Sequence, residues 1–62
     1  MTERKAIRRA QEAAVTAGKD YFVVYDPTAS DAPKQDAYYV TDEIGLDTFF
    51  DGAQVITEVA PH

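Results

Sequence analysis

The segment Tyr-Phe-Val-Val-Tyr at residues 21–25 restricts the fold of this chain more than any other, because every position in it is apolar or aromatic. Consecutive side chains of a strand point to opposite faces, so Phe22 and Val24 share one face and the other three residues share the opposite one. A strand buried on only one face alternates apolar and polar residues instead. The sequence therefore predicts a strand that needs cover on both faces.

The length of the chain, 62 residues, limits how much cover is available. We expect a single domain over residues 1–62, with frayed termini at residues 1–2 and 60–62 and a mobile loop over 26–36. A domain of this size buries only about 60% of the surface that its unfolded chain exposes. Its helices are long enough to cover one face of a small sheet, but hardly both. The uncovered sheet face is therefore a candidate contact surface for another protein or a second copy of the chain.

The N-terminal part of the chain has a helical pattern over residues 3–17, where alanines and Ile7 recur at spacings of three and four along one stripe. Thr2 can cap the start of this helix. Gly18 suits the left-handed conformation that ends many helices. Because alanines are small, we expect the helix to lie close to whatever it covers.

Three strands are predicted in the rest of the chain. The first covers residues 21–25, and a polar loop with two prolines follows it over residues 26–36. The second strand covers residues 37–41, so the two most simply form an antiparallel hairpin. The last strand covers residues 54–59 and ends before Pro61.

The segment at residues 42–52 fits two structures. As a short helix, capped by Asp42 and closed by Gly52, it has an apolar face at i, i+3, i+4 spacing. That face consists of Leu46, Phe49 and Phe50. As a strand–turn–strand unit, it would use Asp51-Gly52 as the hairpin turn. We favour the helix, because Asp47 and Asp51 are poor strand residues.

The element order α-β-β-α-β predicts the α+β class: a small two-layer domain with a three-stranded, mostly antiparallel sheet and both helices on one face. The residues expected to face the helices are Phe22, Val24, Val55 and Val59. The residues predicted to form a protein interface on the open face are Tyr21, Val23, Tyr25, Tyr39 and Ile56. Tyrosine is favoured at interfaces, but whether Tyr38 or Tyr39 points outward depends on a strand register that the sequence leaves open.

The chain contains few side chains of the types that usually act as nucleophiles or bases in catalysis. The chain has no Cys, and its single His and single Ser are His62 and Ser30, so no nucleophile–base–orienter set can be assembled. We therefore expect no enzymatic activity, no disulfide, no cofactor and no metal site. Asp47 and Asp51 would share a helix face, but the spacing typical of a calcium loop is missing, which favours a solvated acidic surface.

Charge is distributed unevenly along the chain. Residues 1–19 carry a net charge of +3 and residues 20–62 a net charge of −8, which together give −5. The simplest interpretation is a basic first helix that packs beside an acidic rest of the domain, with no role in binding. Because phosphate contacts dominate nucleic-acid affinity, a net acidic domain is poorly suited to bind DNA or RNA.

These observations predict a small acidic protein–protein interaction module that acts through an aromatic sheet face, with a homodimer as one form of the complex. The alternative is an acidic inhibitor or nucleic-acid mimic that binds a nucleic-acid-handling protein. Its surface would consist of Asp42, Glu43, Asp47 and Asp51. No apolar run approaches the roughly 20 residues of a membrane span, and the N-terminus lacks the apolar core of a signal peptide. We therefore expect a cytoplasmic protein without a membrane partner.

Two short segments resemble small proteins of bacteria and their phages. They are Tyr-Tyr-Val-Thr-Asp-Glu at residues 38–43 and Leu-Asp-Thr-Phe-Phe-Asp-Gly-Ala at residues 46–53. The resemblance contains no defining motif. It implies no activity and no residue role.

Overall fold

A computed structural model describes residues 1–28 and 33–61 of the chain. The elements in chain order are α1 (Glu3–Ala17), β1 (Tyr21–Tyr25), a 3-10 turn (Lys34–Asp36), β2 (Tyr38–Thr41), α2 (Glu43–Thr48) and β3 (Gln54–Val59). The predicted α+β class and element order are confirmed. The mobile loop was predicted over residues 26–36, of which 29–32 lie outside the described residues, as does His62.

Both ends of α1 follow the sequence signals. Thr2 has extended backbone and its hydroxyl accepts the Lys5 N–H at 3.4 Å, which satisfies one of the free donors of the first turn. Gly18 has φ 69° and donates its N–H to the Ala14 carbonyl at 2.8 Å. Glycine adopts this left-handed conformation without a steric penalty, so α1 ends there.

The sheet has the order β2-β1-β3, and β1 is antiparallel to both neighbours. Two cross-strand rows make up one of its faces, which we call the second face. They are Tyr39–Val24–Val55 and Thr41–Phe22–Glu58. The pairing of β1 with β3 shifts between Val23 and Val24, where Ile56 is the extra residue of β3. This bulge reverses the direction of the side chains along β3.

The first face of the sheet is covered by α1. Ala6, Ala10 and Val23 are fully buried and form the centre of the core. Because alanine has only a methyl side chain, the helix backbone comes close to β1 at these positions. The partly buried apolar residues packed around them are Ile7, Tyr21, Tyr38, Val40, Ile56 and Val59.

The predicted assignment of the two faces is wrong. Phe22 and Val24 were expected to face both helices, but Val23 faces α1, and Phe22 and Val24 lie on the second face, which α2 contacts. The cause is that β1 is apolar on both faces, so its pattern contains no information about which face α1 covers. Val55 and Val59 were expected to share a face, but the bulge between them places Val59 against α1 and Val55 on the second face.

The segment after β2 is helical, as the favoured interpretation predicted. Asp42 caps α2, and its Oδ1 accepts the Gly45 N–H at 2.8 Å. The helix ends at Thr48, before the predicted closure at Gly52. The N–H groups of Phe49 and Phe50 both point to the Gly45 carbonyl, at 2.8 and 3.3 Å, which ends the regular hydrogen-bond pattern.

The second helix contacts the second face, which differs from the expectation that both helices lie on one face. Gly45 lies directly against the Thr41 hydroxyl. The Phe50 ring stacks on Tyr39, with 5.5 Å between centroids and 28° between planes. Only Asp42 separates β2 from α2, so the helix packs beside the strand end that precedes it.

The N-terminal residue is held beside β2. The Met1 ammonium group donates to the Asp36 carbonyl at 2.7 Å, and the Tyr38 N–H donates to the Met1 carbonyl at 3.2 Å. Residues 1–2, which were expected to be frayed, are therefore hydrogen-bonded. In the described part of the chain, no helix has the length and apolar character needed to cross a membrane.

Candidate functional site

Most of the predicted interface residues lie beneath α1. Val23 has no exposed surface, so it contributes to the core and to no contact with a partner. Tyr21 and Ile56 pack against the core cluster and are half-buried. The structure thus places these three residues on the covered face, where they stabilise the fold.

The tyrosines divide between the two faces. Tyr25 is half-buried and contacts Tyr38, its cross-strand neighbour, with 4.9 Å between ring centroids. Tyr39 is the one predicted interface residue on the second face, where Phe50 stacks on it. The sequence left open whether Tyr38 or Tyr39 points away from α1. The pairing of β2 with β1 answers this, because Tyr38 packs against the core under α1 and Tyr39 lies on the second face.

The side of the sheet away from α1 exposes large apolar side chains that sequence reasoning did not assign to a surface. Ile44 in α2 is 73% exposed, Phe49 after α2 is 77% exposed, and Val55 in β3 is 45% exposed. Phe49 was expected on the packed face of the helix, but α2 ends before it. The Asp51-Gly52 turn signal could have indicated this early end.

A cleft of about 530 Å³ lies where α2 meets the second face. Its apolar part is formed by Phe22, Ile44 and Leu46. Its charged part consists of Lys19 and five carboxylates, which are Asp20, Asp42, Glu43, Asp47 and Glu58. We call this the acidic cleft. It offers apolar contact beside an excess of negative charge.

Two residues that line the acidic cleft, Lys19 and Asp42, form an ion pair. The Lys19 ammonium lies 2.9 Å from Oδ2 of Asp42, while Oδ1 of the same carboxylate accepts the Gly45 N–H. The Gly45 N–H and then Lys19 lower the pKa of Asp42, and the hydrogen bond to Asp42 raises the pKa of Lys19. At neutral pH Asp42 is therefore ionised while it caps α2.

Two other residues of the acidic cleft, Asp20 and Glu58, form a carboxyl pair. A hydrogen bond with the Asp20 carboxyl, together with desolvation and the negative charges of Asp20 and Glu43, raises the pKa of Glu58. Two carboxylates at short distance disfavour simultaneous ionisation. A cationic group that entered the cleft would relieve this repulsion.

The two perturbed carboxyls give stability opposite dependences on pH. Folding lowers the pKa of Asp42 below 3.8, so its contribution is complete above that value and is lost as the pH falls through the folded-state pKa. Folding raises the pKa of Glu58 above 4.5, so its contribution is present below that value and is lost as the pH rises through the folded-state pKa.

We therefore expect opposite behaviour from two variants in urea unfolding measured between about pH 3 and about pH 7. Asp42→Asn keeps an oxygen that caps α2, and should be less stable than wild type at neutral pH, with the gap closing in acid. Glu58→Gln should be more stable than wild type at neutral pH, and this gain should vanish in acid. Parallel pH profiles for all three proteins would contradict the assigned shifts.

The residues of the predicted acidic surface are only partly brought together. Asp42, Glu43 and Asp47 line the acidic cleft. Asp51 is exposed in the turn that precedes β3 and is not among the residues of the cleft. Within residues 1–28 and 33–61, no group of three carboxylates or histidines is placed to hold a metal ion.

A second charged surface lies on α1. A shallow groove of about 400 Å³ is lined by Met1, Lys5, Arg8, Arg9 and Glu12. Arg4 is exposed on the same helix. Among the described residues, the single ion pair is Lys19–Asp42, so the four cations of α1 have no carboxylate partner there.

The geometry thus combines an apolar surface and an acidic cleft on the side of the sheet that α1 does not cover. Exposed apolar area with a charged rim is typical of protein contact sites. The arrangement can bind by apolar burial and by attraction of positive charge. Comparisons of this chain with known protein families, curated proteins and solved structures give no match.

Proposed function

We propose that this chain is a cytoplasmic protein-binding module, and that its contact surface is the side of the sheet opposite α1. The observation that carries the proposal is the exposure of Ile44, Phe49 and Val55 on the elements away from α1. Burial of such side chains against a partner releases about 25 cal/mol for each Å² of apolar surface. The binding role predicted from the sequence is kept, but its surface moves to the second face.

The acidic cleft would favour a partner that carries positive charge at the contact. Ile44 and Phe22 line the cleft beside Glu43 and Asp47, so one ligand group could contact apolar and acidic side chains together. An Arg or Lys side chain has this mixed character, with an apolar stem and a cationic head. The proposal involves binding only and includes no catalytic step.

Site-specific photo-cross-linking tests the proposed surface. A photoreactive phenylalanine analogue would replace Ile44 in one variant and Thr28 in a control variant. Thr28 is a suitable control, because it is also exposed but lies after β1 and lines neither the acidic cleft nor the groove on α1. In cells that express the protein, we expect one reproducible adduct from position 44 that is absent from position 28. Equal adducts at both positions, or none at position 44, would contradict the proposal.

A second function, inhibition of a nucleic-acid-handling protein by an acidic surface, is favoured by one observation. Asp42, Glu43 and Asp47 line one cleft together with Asp20 and Glu58, which concentrates negative charge on one side of the molecule. Such a complex would form through many charge pairs and would weaken steeply as salt increases.

The inhibitor function is tested with the partner isolated by cross-linking. We expect the affinity of this complex to fall by at least about tenfold when the salt concentration rises from about 50 mM to about 300 mM. We expect a loss of similar size in the Glu43→Gln/Asp47→Asn double variant at low salt. Both carboxylates are exposed, so the variant should fold normally. A complex that is insensitive to salt and to these substitutions would exclude the inhibitor function and leave apolar docking.

A further inference from the structure

The cations of α1 and the carboxylates of the acidic cleft lie on opposite sides of the sheet. Lys5, Arg8 and Arg9 line the groove on α1, which covers the first face. Glu43 and Asp47 belong to α2, which contacts the second face. With the sheet between them, these two sets cannot pair within one molecule.

Both charged surfaces are available for contact with another molecule. Lys5, Arg8 and Arg9 are exposed and have no carboxylate partner among residues 1–28 and 33–61. Glu43 and Asp47 are exposed as well and have no cationic partner in the same ranges. The charges that one copy leaves unpaired on α1 are therefore complementary to those that another copy leaves unpaired in its cleft.

From this complementarity we infer that a second copy of the chain docks on the second face, with the basic side of its α1 against the acidic cleft. The stems of its Arg8 and Arg9 would cover Ile44 and Phe22, and their guanidinium groups would reach Glu43 and Asp47. The inference rests on the proposed function, because it uses the same contact surface, and it identifies the occupant of that surface.

The opposite positions of the two surfaces determine the type of assembly. Each copy presents its donor surface on one side of the sheet and its acceptor surface on the other, so the contact is head-to-tail. A head-to-tail contact does not close into a symmetric dimer and continues into a stack or a ring. The net charge of −5 opposes the growth of such a stack, which should therefore form at high protein concentration.

Light scattering coupled to size-exclusion chromatography tests this inference on the full chain. The mass of wild type should rise with protein concentration above the 6.9 kDa of one chain, and should return to that value in about 0.5 M salt, where charge pairs are screened. A wild type that stays at the mass of one chain at every concentration and at low salt would overturn the inference.

Two charge-reversal variants sharpen the experiment. Arg8→Glu/Arg9→Glu reverses the charge at two positions of α1, and Glu43→Lys/Asp47→Lys reverses the charge at the two cleft positions that these arginines would reach. Each variant alone should lose self-association by at least about tenfold, and an equimolar mixture should recover it, because each then meets its complement. Circular dichroism on both variants confirms that they are folded. Association that survives either reversal, or a mixture of folded variants that fails to associate, would overturn the inference.

The outcomes also separate this inference from the proposed function. If wild type is monomeric while cross-linking from position 44 yields an adduct with a different protein, the surface binds a partner but not a second copy. If the adduct from position 44 contains two copies of the chain, both proposals are supported. If position 44 gives no adduct, the proposed function fails whatever the mass of the wild-type protein.

Discussion

The Val23→Asp variant is expected to be unfolded at neutral pH. Val23, in β1, is fully buried against α1, in a cluster with Ala6 and Ala10. An isolated carboxylate at this position would lose its hydration without gaining a partner, which costs several kcal/mol. A domain of 62 residues has a stability near the low end of roughly 5–15 kcal/mol, so this loss removes most of it. Far-UV circular dichroism with thermal unfolding measures the effect.

The matched control is Val55→Asp. Val55 is 45% exposed on the second face and is separated from α1 by the sheet. Because its carboxylate can reach water, the variant should fold, with a loss of about 1 kcal/mol or less from the poor strand propensity of aspartate. A folded Val23→Asp protein, or a Val55→Asp protein as unstable as Val23→Asp, would contradict the assignment of the faces.

The second large effect is expected at Gly45. In an ordinary helix, Gly→Ala stabilises by about 1 kcal/mol. Here a Cβ would overlap with the Thr41 hydroxyl, and Thr41 is only 8% exposed. Threonine is branched at Cβ and cannot turn away without strain, so the overlap costs about 1–3 kcal/mol. We therefore expect Gly45→Ala to lower the free energy of unfolding by about 1–2 kcal/mol, measured by urea denaturation.

A double variant tests the cause of this loss. Thr41→Ala removes the hydroxyl that faces Gly45. If the overlap is responsible, Gly45→Ala should be much better tolerated in the Thr41→Ala background, with a coupling of about 1 kcal/mol or more. Strictly additive effects of the two substitutions, or a single Gly45→Ala variant more stable than wild type, would contradict the close packing of α2 on β2.

The parts of the fold that depend on local signals could be predicted from the sequence. The bounds of α1 follow from Thr2, the alanine stripe and Gly18, and the apolar run at residues 21–25 is the central strand. Asp42 caps α2 as its side chain and position suggested. Each of these features is determined by residues that are close together in the chain.

The choice of face could not be predicted, because it is a property of long-range packing. Residues 21–25 suit burial on either side, so alternation does not say which side α1 covers. The bulge at Ile56 also shifts the pattern of β3 by one residue, and no glycine or proline in residues 54–59 indicates it. As a result, the sequence correctly indicated a two-sided strand but assigned the interface to the side that forms the core.

The position of α1 determines which surface is left for a partner, and nuclear Overhauser effects between methyl groups test it most directly. Since Ala10 and Val23 belong to one buried cluster, their methyl groups should show a strong mutual effect in the wild-type chain, and Ala10 should show none to Val24. An effect from the Ala10 methyl group to the Val24 methyl groups or to the ring protons of Phe22, with none to Val23, would place α1 on the second face and contradict the proposed binding surface.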